Sequence, residues 1–67
     1  MIAVTVNGKQ REIEGEVDIN ALLGILKIDA RTVAVACNGE VVPRDRHGSV
    51  MVREGDSVEI VRMVGGG

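Results

Sequence analysis

The sequence contains no phenylalanine, tryptophan or tyrosine. A hydrophobic core must therefore be built from aliphatic side chains, and the β-branched valines and isoleucines among them favour strands. The absence of aromatic rings also removes the platforms on which nucleic-acid bases stack. The formal net charge of −2 offers no basic excess for a phosphate backbone. We therefore predict no nucleic-acid partner, whereas a mildly acidic surface suits a protein partner with a basic docking face.

Cysteine and long apolar runs are equally scarce. Cys37 is the one cysteine, which excludes an internal disulfide and is typical of a reducing, intracellular compartment. No apolar run approaches the ~18 residues of a membrane span. Residues 1–6 lack the basic region and the long apolar stretch of a signal peptide. These features predict a cytoplasmic protein with no membrane association.

The length of 67 residues is enough for one domain. A domain this small buries only about 60% of its unfolded surface, which leaves little room for a catalytic cleft. The glycines before the C-terminus are scattered and match neither a P-loop nor a dinucleotide-binding fingerprint. His47 has no cysteine cluster with which to form a metal site. We therefore predict no cofactor, no metal and no self-contained enzymatic activity.

The first half of the chain predicts a hairpin and a helix. Residues 2–6 alternate apolar and small or polar side chains, which indicates a half-buried strand. Asn7 and Gly8 form the strongest short hairpin signal, and a second strand over 9–13 follows. Asp18 is suited to cap a helix N-terminus. The helix carries an apolar stripe and is expected to end near a C-terminal cation, and its key residues are Ile19, Leu22, Leu23, Leu26 and Lys27.

The second half predicts further strands. A third strand is expected over 32–37, with Val33, Val35 and Cys37 on one face, and an Asn-Gly turn at 38–39 follows it. Short extended segments are expected at 41–42 and around Val50 and Val52, and the last strand over 58–63. The helix is the connection that permits a parallel pairing, so the first and last strands should lie side by side at the sheet centre. This predicts an α+β domain, with one mixed sheet and one helix across one face.

The end of the sequence carries the chemistry. Gly65, Gly66 and Gly67 offer no side chain to pack, and we predict a folded domain over 1–64 and a flexible glycine tail over 65–67. Four extended residues reach at most roughly 13 Å, and a thread without Cβ atoms can enter a narrow channel. The terminal carboxylate of Gly67 is then the predicted reacting group, which a partner must activate. The alternative is that the glycines are a frayed end.

Other candidate residues have a structural and a functional interpretation. Cys37 could relay sulfur, or it could be a small buried strand residue. His47 could be a ligand or base, or a packing element. Arg44, Asp45 and Arg46 form a charged loop that is either solvated or a docking site.

The predicted partner-binding segment leads into the C-terminal glycines and consists of Val61, Met63, Val64, Gly65 and Gly66. Strand parity places Val61 on the helix-free face with Ala34 or Ala36. The resulting surface is either an apolar docking patch or an ordinary sheet surface.

Three stretches together resemble a known family. They are residues 35–44 (VACNGEVVPR), residues 54–61 (EGDSVEIV) and the ending 63–67 (MVGGG). The sequence resembles the ThiS/MoaD group of ubiquitin-like proteins, and within it the sulfur carriers of thiamine biosynthesis, over nearly its whole length. His47 departs from the family, in which a tryptophan that serves packing is often present.

The resemblance implies a β-grasp fold and a carrier function. Gly67 would be adenylated by an E1-like ATP-dependent adenylyltransferase and converted to a thiocarboxylate, with sulfur from a cysteine desulfurase or another donor. The thiocarboxylate would then pass sulfur to thiazole synthase. Alternatives with the same tail are a MoaD-like carrier for molybdopterin or tRNA thiolation and a ubiquitin-like protein modifier. A plain β-grasp interaction module would not need the tail at all.

Overall fold

A computed structural model describes residues 1–63, and residues 64–67 lie outside the described part. The described chain forms strands, one α-helix and two short 3₁₀ helices. In chain order they are β1 (Ile2–Val6), β2 (Lys9–Ile13), β3 (Val17–Asp18), α1 (Ile19–Ile25), a 3₁₀ helix (Ala30–Thr32), β4 (Val33–Cys37), β5 (Glu40–Val42), a second 3₁₀ helix (Arg44–Arg46), β6 (Met51–Val52) and β7 (Ser57–Arg62).

Five strands form one mixed sheet in the order β2-β1-β7-β4-β5. β7 lies at the centre, parallel to β1 and antiparallel to β4. The other two pairs, β1 with β2 and β4 with β5, are antiparallel hairpins. The predicted parallel pairing of the first and last strands is therefore confirmed, and with it the α+β architecture of one sheet and one helix.

Both hairpins turn at Asn-Gly, as predicted. Asn7 and Gly8 have φ values of 51° and 81°, and Asn38 and Gly39 have φ values of 53° and 85°. Two consecutive positive φ values produce a turn whose twist matches that of the flanking strands. Asparagine and glycine adopt this region at low cost, so each dipeptide fixes the register of its hairpin.

The helix begins as predicted but ends earlier. The Asp18 carboxylate accepts a hydrogen bond of 2.7 Å from the backbone N–H of Ala21, which confirms the N-cap. The predicted end near Lys27 lies two residues beyond the observed one, because α1 ends at Ile25 and Lys27 has a left-handed φ of 60°. The backbone N–H of Ile28 then bonds the Leu23 carbonyl at 2.9 Å and closes the helix end.

Several strand boundaries also differ from the prediction by one residue or more. The expected strand around Val50 and Val52 is the two-residue β6, which pairs with β3 in a separate small sheet that was not predicted. The third predicted strand starts one residue late because Thr32 belongs to a 3₁₀ helix. The last strand is Ser57–Arg62 and does not include Met63.

The core lies between α1 and one face of the large sheet. The helix contributes Ile19, Leu22 and Leu23, each no more than 2% exposed. The sheet, with the small β3–β6 pair, supplies the aliphatic partners Val4, Val6, Ile13, Val33, Val35, Val42, Val52, Val58 and Ile60. Among residues 1–63, no helix has the length and apolar character needed to cross a membrane.

His47 belongs to this packing. Its side chain is 1% exposed, and its Nε2 lies 3.3 Å from the carbonyl oxygen of Val42. Its own carbonyl accepts hydrogen bonds from the N–H groups of Ile19 and Asn20 at 3.0 and 3.3 Å. His47 therefore fastens the start of the helix to the loop before β6, and the structural interpretation of this histidine is confirmed.

Candidate functional site

The helix-free face of the large sheet carries the candidate partner surface. Val58 and Ile60 point into the core, so strand alternation places Val61 on the opposite face. Val61 is 62% exposed and lies directly across from Ala34 on β4. The predicted outward orientation of Val61 is confirmed.

Further apolar residues extend this surface across β4 and β5. Ala36 on β4 pairs with Val41 on β5, and the Val41 side chain is 76% exposed. Met63 follows β7 on the same face and is 49% exposed. We call this set the apolar patch; it consists of Ala34, Ala36, Val41, Val61 and Met63.

One carboxylate borders the apolar patch, and a second lies elsewhere on the same face of the sheet. Glu59 points outward from β7 beside Ala36, and Glu12 points outward from β2 on the far side of the sheet. The remaining outward positions of the large sheet are Ala3, Thr5, Gln10 and Ser57, and none of the outward positions on its described strands is lysine or arginine. The face thus combines an apolar surface with negative charge, which suits a partner that is apolar and basic.

The end of β7 is anchored to the segment before β4. The backbone N–H of Met63 donates a 2.9 Å hydrogen bond to the carbonyl of Thr32. Thr32 is held in turn by the carbonyl of Asp29, which accepts from its hydroxyl at 2.8 Å and from its N–H at 3.0 Å. The exposed guanidinium of Arg31 hydrogen-bonds the Asp29 side chain and holds the pKa of that carboxyl below its usual range. Met63 therefore has a defined position.

The predicted reacting group is beyond this anchored end. Val64, Gly65, Gly66 and Gly67 lie outside the described residues, so their predicted roles stay predictions. Of the predicted partner-binding residues, the structure places Val61 and Met63 together in the apolar patch.

Cys37 has the environment of a structural thiol. It is half-buried at the end of β4 and lines an open groove of about 680 Å³ beside β5. Burial raises the pKa of the Cys37 thiol, and the carboxylates of Asp56 and Glu40 raise it further. The thiolate is the nucleophilic form of cysteine, so these surroundings lower its reactivity at neutral pH. Within residues 1–63, no group of histidine, cysteine and acidic side chains is arranged to hold a metal ion.

Two asparagine side chains for which the sequence predicts only a place in a turn also hold β7. The Asn7 carboxamide bonds the backbone of Ile60. The Asn38 carboxamide accepts from the N–H of Ser57 at 3.0 Å and donates to the Asp56 carboxylate at 3.1 Å. Each contact joins residues far apart in the sequence. The one available signal was the occurrence of asparagine at both turns.

The model of the ThiS family matches residues 4–67 of the sequence. The chain belongs to the ThiS family. This ThiS-family chain is also similar to the crystal structure of the thiamine biosynthesis protein ThiS from Geobacter metallireducens, with 36% identity and a TM-score of 0.89. The alignment covers 98% of this chain and 100% of that one. The predicted β-grasp fold is confirmed.

Two curated relatives are longer proteins. The chain is 42% identical over 64 residues to a thiazole synthase from Paramagnetospirillum magneticum and 34% identical over 64 residues to a thiazole synthase from Magnetococcus marinus. Each alignment covers 96% of this chain but 20% of the relative. The ThiS-family chain thus spans about a fifth of the length of these relatives.

Proposed function

We propose that this ThiS-family chain is a sulfur carrier of thiamine biosynthesis that acts in the cytoplasm and is itself no catalyst. The C-terminal carboxylate of Gly67 is the group that carries the sulfur. An E1-like adenylyltransferase activates it, a cysteine desulfurase or another donor supplies the sulfur, and thiazole synthase receives it. Family membership, the terminal glycines and the apolar patch at the end of β7 support this proposal.

The chemistry requires activation because a carboxylate is a poor electrophile. An oxygen of the Gly67 carboxylate attacks the α-phosphorus of ATP, and pyrophosphate leaves. The acyl-adenylate carbonyl is then attacked by a sulfur nucleophile, and AMP leaves. When the nucleophile is the terminal sulfur of a cysteine persulfide on the donor, the product is an acyl disulfide. A second thiol then attacks the donor cysteine sulfur, a disulfide forms between these two sulfur atoms, and the thiocarboxylate is the leaving group. The partners hold the nucleotide and the sulfur donor, and the carrier supplies the acyl group.

The single observation that carries the proposal is the position of the apolar patch. Val61 and Met63 are exposed aliphatic side chains that immediately precede residues 64–67 in the chain. Exposed apolar patches mark protein–protein interaction sites. A partner that docks on this surface therefore lies within the roughly 13 Å that four extended residues can span. Glycines let the thread pass through a narrow channel because they have no Cβ atoms.

The two longer relatives support thiazole synthase as the acceptor. Both are named thiazole synthase, and this chain resembles about a fifth of each. When carrier and acceptor belong to one polypeptide, the effective concentration of one for the other is set by the linker and can reach the millimolar range. The same pairing in separate chains would need a docking surface, which the apolar patch provides.

Intact-mass spectrometry tests the proposal. The protein that ends at Gly67 is incubated with an E1-like adenylyltransferase, ATP, cysteine and a cysteine desulfurase. We expect a mass gain equal to the difference between one sulfur and one oxygen atom, and no gain when ATP is omitted. An unchanged mass with an enzyme that converts its own carrier under the same conditions would contradict the proposal. Addition of thiazole synthase and its small-molecule substrates should then restore the original mass.

A further inference from the structure

The last strand loses one of its two neighbours before it ends. The register of β1 with β7 stops at Val6 opposite Val58, whereas β4 stays paired with β7 as far as Arg62. On the β4 side the hydrogen bonds use alternate residues of β7, such as the N–H of Met63. The N–H and C=O of Ile60 therefore face the side from which β1 has already turned away.

The Asn7 side chain fills this place in the ladder. Its Oδ1 accepts a 2.7 Å hydrogen bond from the N–H of Ile60, and its Nδ2 donates a 3.1 Å bond to the carbonyl of Ile60. The carboxamide thus pairs with both backbone groups of one residue, a role that two different peptide groups would share in a continuing parallel strand. The backbone N–H of Asn7 still bonds the Val58 carbonyl at 2.9 Å. The left-handed φ of 51° turns the backbone into the hairpin beyond this point.

We propose that Asn7 is a positioning residue for sulfur loading: it fixes the second half of β7, and so presents Val61 and Met63 to the activating partner in one arrangement. This inference rests on the proposed function. Among residues 1–63, the Asn7 side chain is the hydrogen-bonding group that holds Ile60 on the side opposite β4. Its loss leaves the backbone of the last part of β7 hydrogen-bonded to β4 alone.

Asn38 provides a matched control because its side chain bonds the same strand, β7. It opens the second Asn-Gly turn with a φ of 53°, and its carboxamide also bonds β7, but at Ser57. Ser57 lies at the start of β7, and the apolar patch residues Val61 and Met63 lie at its end. Replacing Asn38 thus removes a comparable contact from the same strand without releasing the end that presents the patch.

Glycine is the suitable replacement at both sites because it adopts a positive φ without steric cost. For Asn7→Gly we expect faster hydrogen exchange at the Ile60 N–H. We also expect a several-fold higher KM of the E1-like adenylyltransferase for the carrier, with kcat little changed, because the chemistry at Gly67 belongs to the partner. Asn38→Gly should leave both the Ile60 exchange rate and the KM near the values of the unmodified protein.

The difference in KM between Asn7→Gly and Asn38→Gly decides the outcome. Equal KM values for Asn7→Gly and Asn38→Gly would overturn the proposal, as would unchanged Ile60 exchange in Asn7→Gly. If Asn7→Gly does not fold, Asn7→Asp replaces it, since aspartate keeps an acceptor for the Ile60 N–H and loses the donor to the Ile60 carbonyl. If Asn7→Asp then shows the same KM and the same Ile60 exchange rate as the unmodified protein, the proposal is overturned. Failure of the unmodified protein to gain sulfur would instead refute the proposed function, independently of these comparisons.

Discussion

The two faces of the central sheet are built from the same strands and have opposite properties. On the helix-covered face, Val35 and Val58 are no more than 2% exposed. On the helix-free face, Val41 and Val61 are 76% and 62% exposed. Because strand side chains alternate, one sequence segment supplies both faces. The comparison teaches that stability resides on the first face. The proposed function assigns partner recognition to the second face, so single substitutions should separate the two properties.

The largest effect on stability is expected at Leu23, on the helix-covered face. Leu23→Ala removes a side chain that is 2% exposed from the core. It should lower the free energy of unfolding by roughly 2–5 kcal/mol, measured by urea denaturation. Ile25→Ala in the same helix is the control, since Ile25 is 50% exposed and should cost much less. An equal loss of unfolding free energy in the two variants would show that α1 is not stabilised mainly by its buried side chains.

A smaller loss is expected at His47. In His47→Ala the Val42 carbonyl loses its contact with the ring nitrogen at 3.3 Å, and a hydrogen bond of this kind contributes about 0.5–1.5 kcal/mol. The cavity left by the ring adds to this loss. Thermal unfolding monitored by circular dichroism measures it. The backbone carbonyl that receives the helix start is kept in the variant, so α1 should still form. A melting temperature equal to that of the unmodified protein would contradict the packing role.

The helix-free face should show the reverse pattern. Val61→Glu places a charge in the apolar patch and should change the free energy of unfolding by no more than about 0.5 kcal/mol. It should nevertheless slow sulfur loading strongly, because the charge must be desolvated when the partner docks. Gln10→Glu, on the same face but on the edge strand β2, is the control and should load normally. Similar sulfur-loading rates for both variants would show that the apolar patch is not part of the partner interface.

Cys37 should contribute little to either property. Its raised pKa reduces the thiolate fraction at neutral pH, so alkylation by iodoacetamide should be slower in the folded protein than in the same protein in denaturant. The rate should rise as the pH increases, because deprotonation then produces the nucleophile. Cys37→Ala should retain sulfur loading. Loss of loading in Cys37→Ala, with the fold intact, would restore the relay interpretation.

The tail should have the smallest effect on stability. Removal of Gly67, or Gly66→Ala, should leave the melting temperature unchanged, since these glycines have no side chain to pack. Both changes should abolish or severely reduce sulfur loading, the first because it shifts the reacting carboxylate and the second because it adds a Cβ to the thread. A large fall in melting temperature would show that the glycines contribute to the folded domain.

Local sequence patterns predicted most of the fold. Alternation at 2–6 and 32–37, the two Asn-Gly turns and the Asp18 cap all act within a few residues. Each was confirmed, except that Thr32 lies in a 3₁₀ helix and not in the strand. The β3–β6 pair was missed because two-residue strands are too short to show a period. The contact between Asn7 and Ile60 was missed because it joins residues 53 positions apart. The apolar patch was predictable from strand parity, but the position of Glu59 beside Ala36 required the register of β4 with β7.

The most direct test is mass spectrometry of the C-terminal peptide isolated from cells. The account predicts that a fraction of the peptide ends at Gly67 with a thiocarboxylate, heavier than the free acid by the difference between sulfur and oxygen. A peptide that continues past residue 67 in the mature protein would contradict the account, because the reacting carboxylate would not exist. Gly67 joined to lysines of other proteins would contradict it as well, and would point to protein modification.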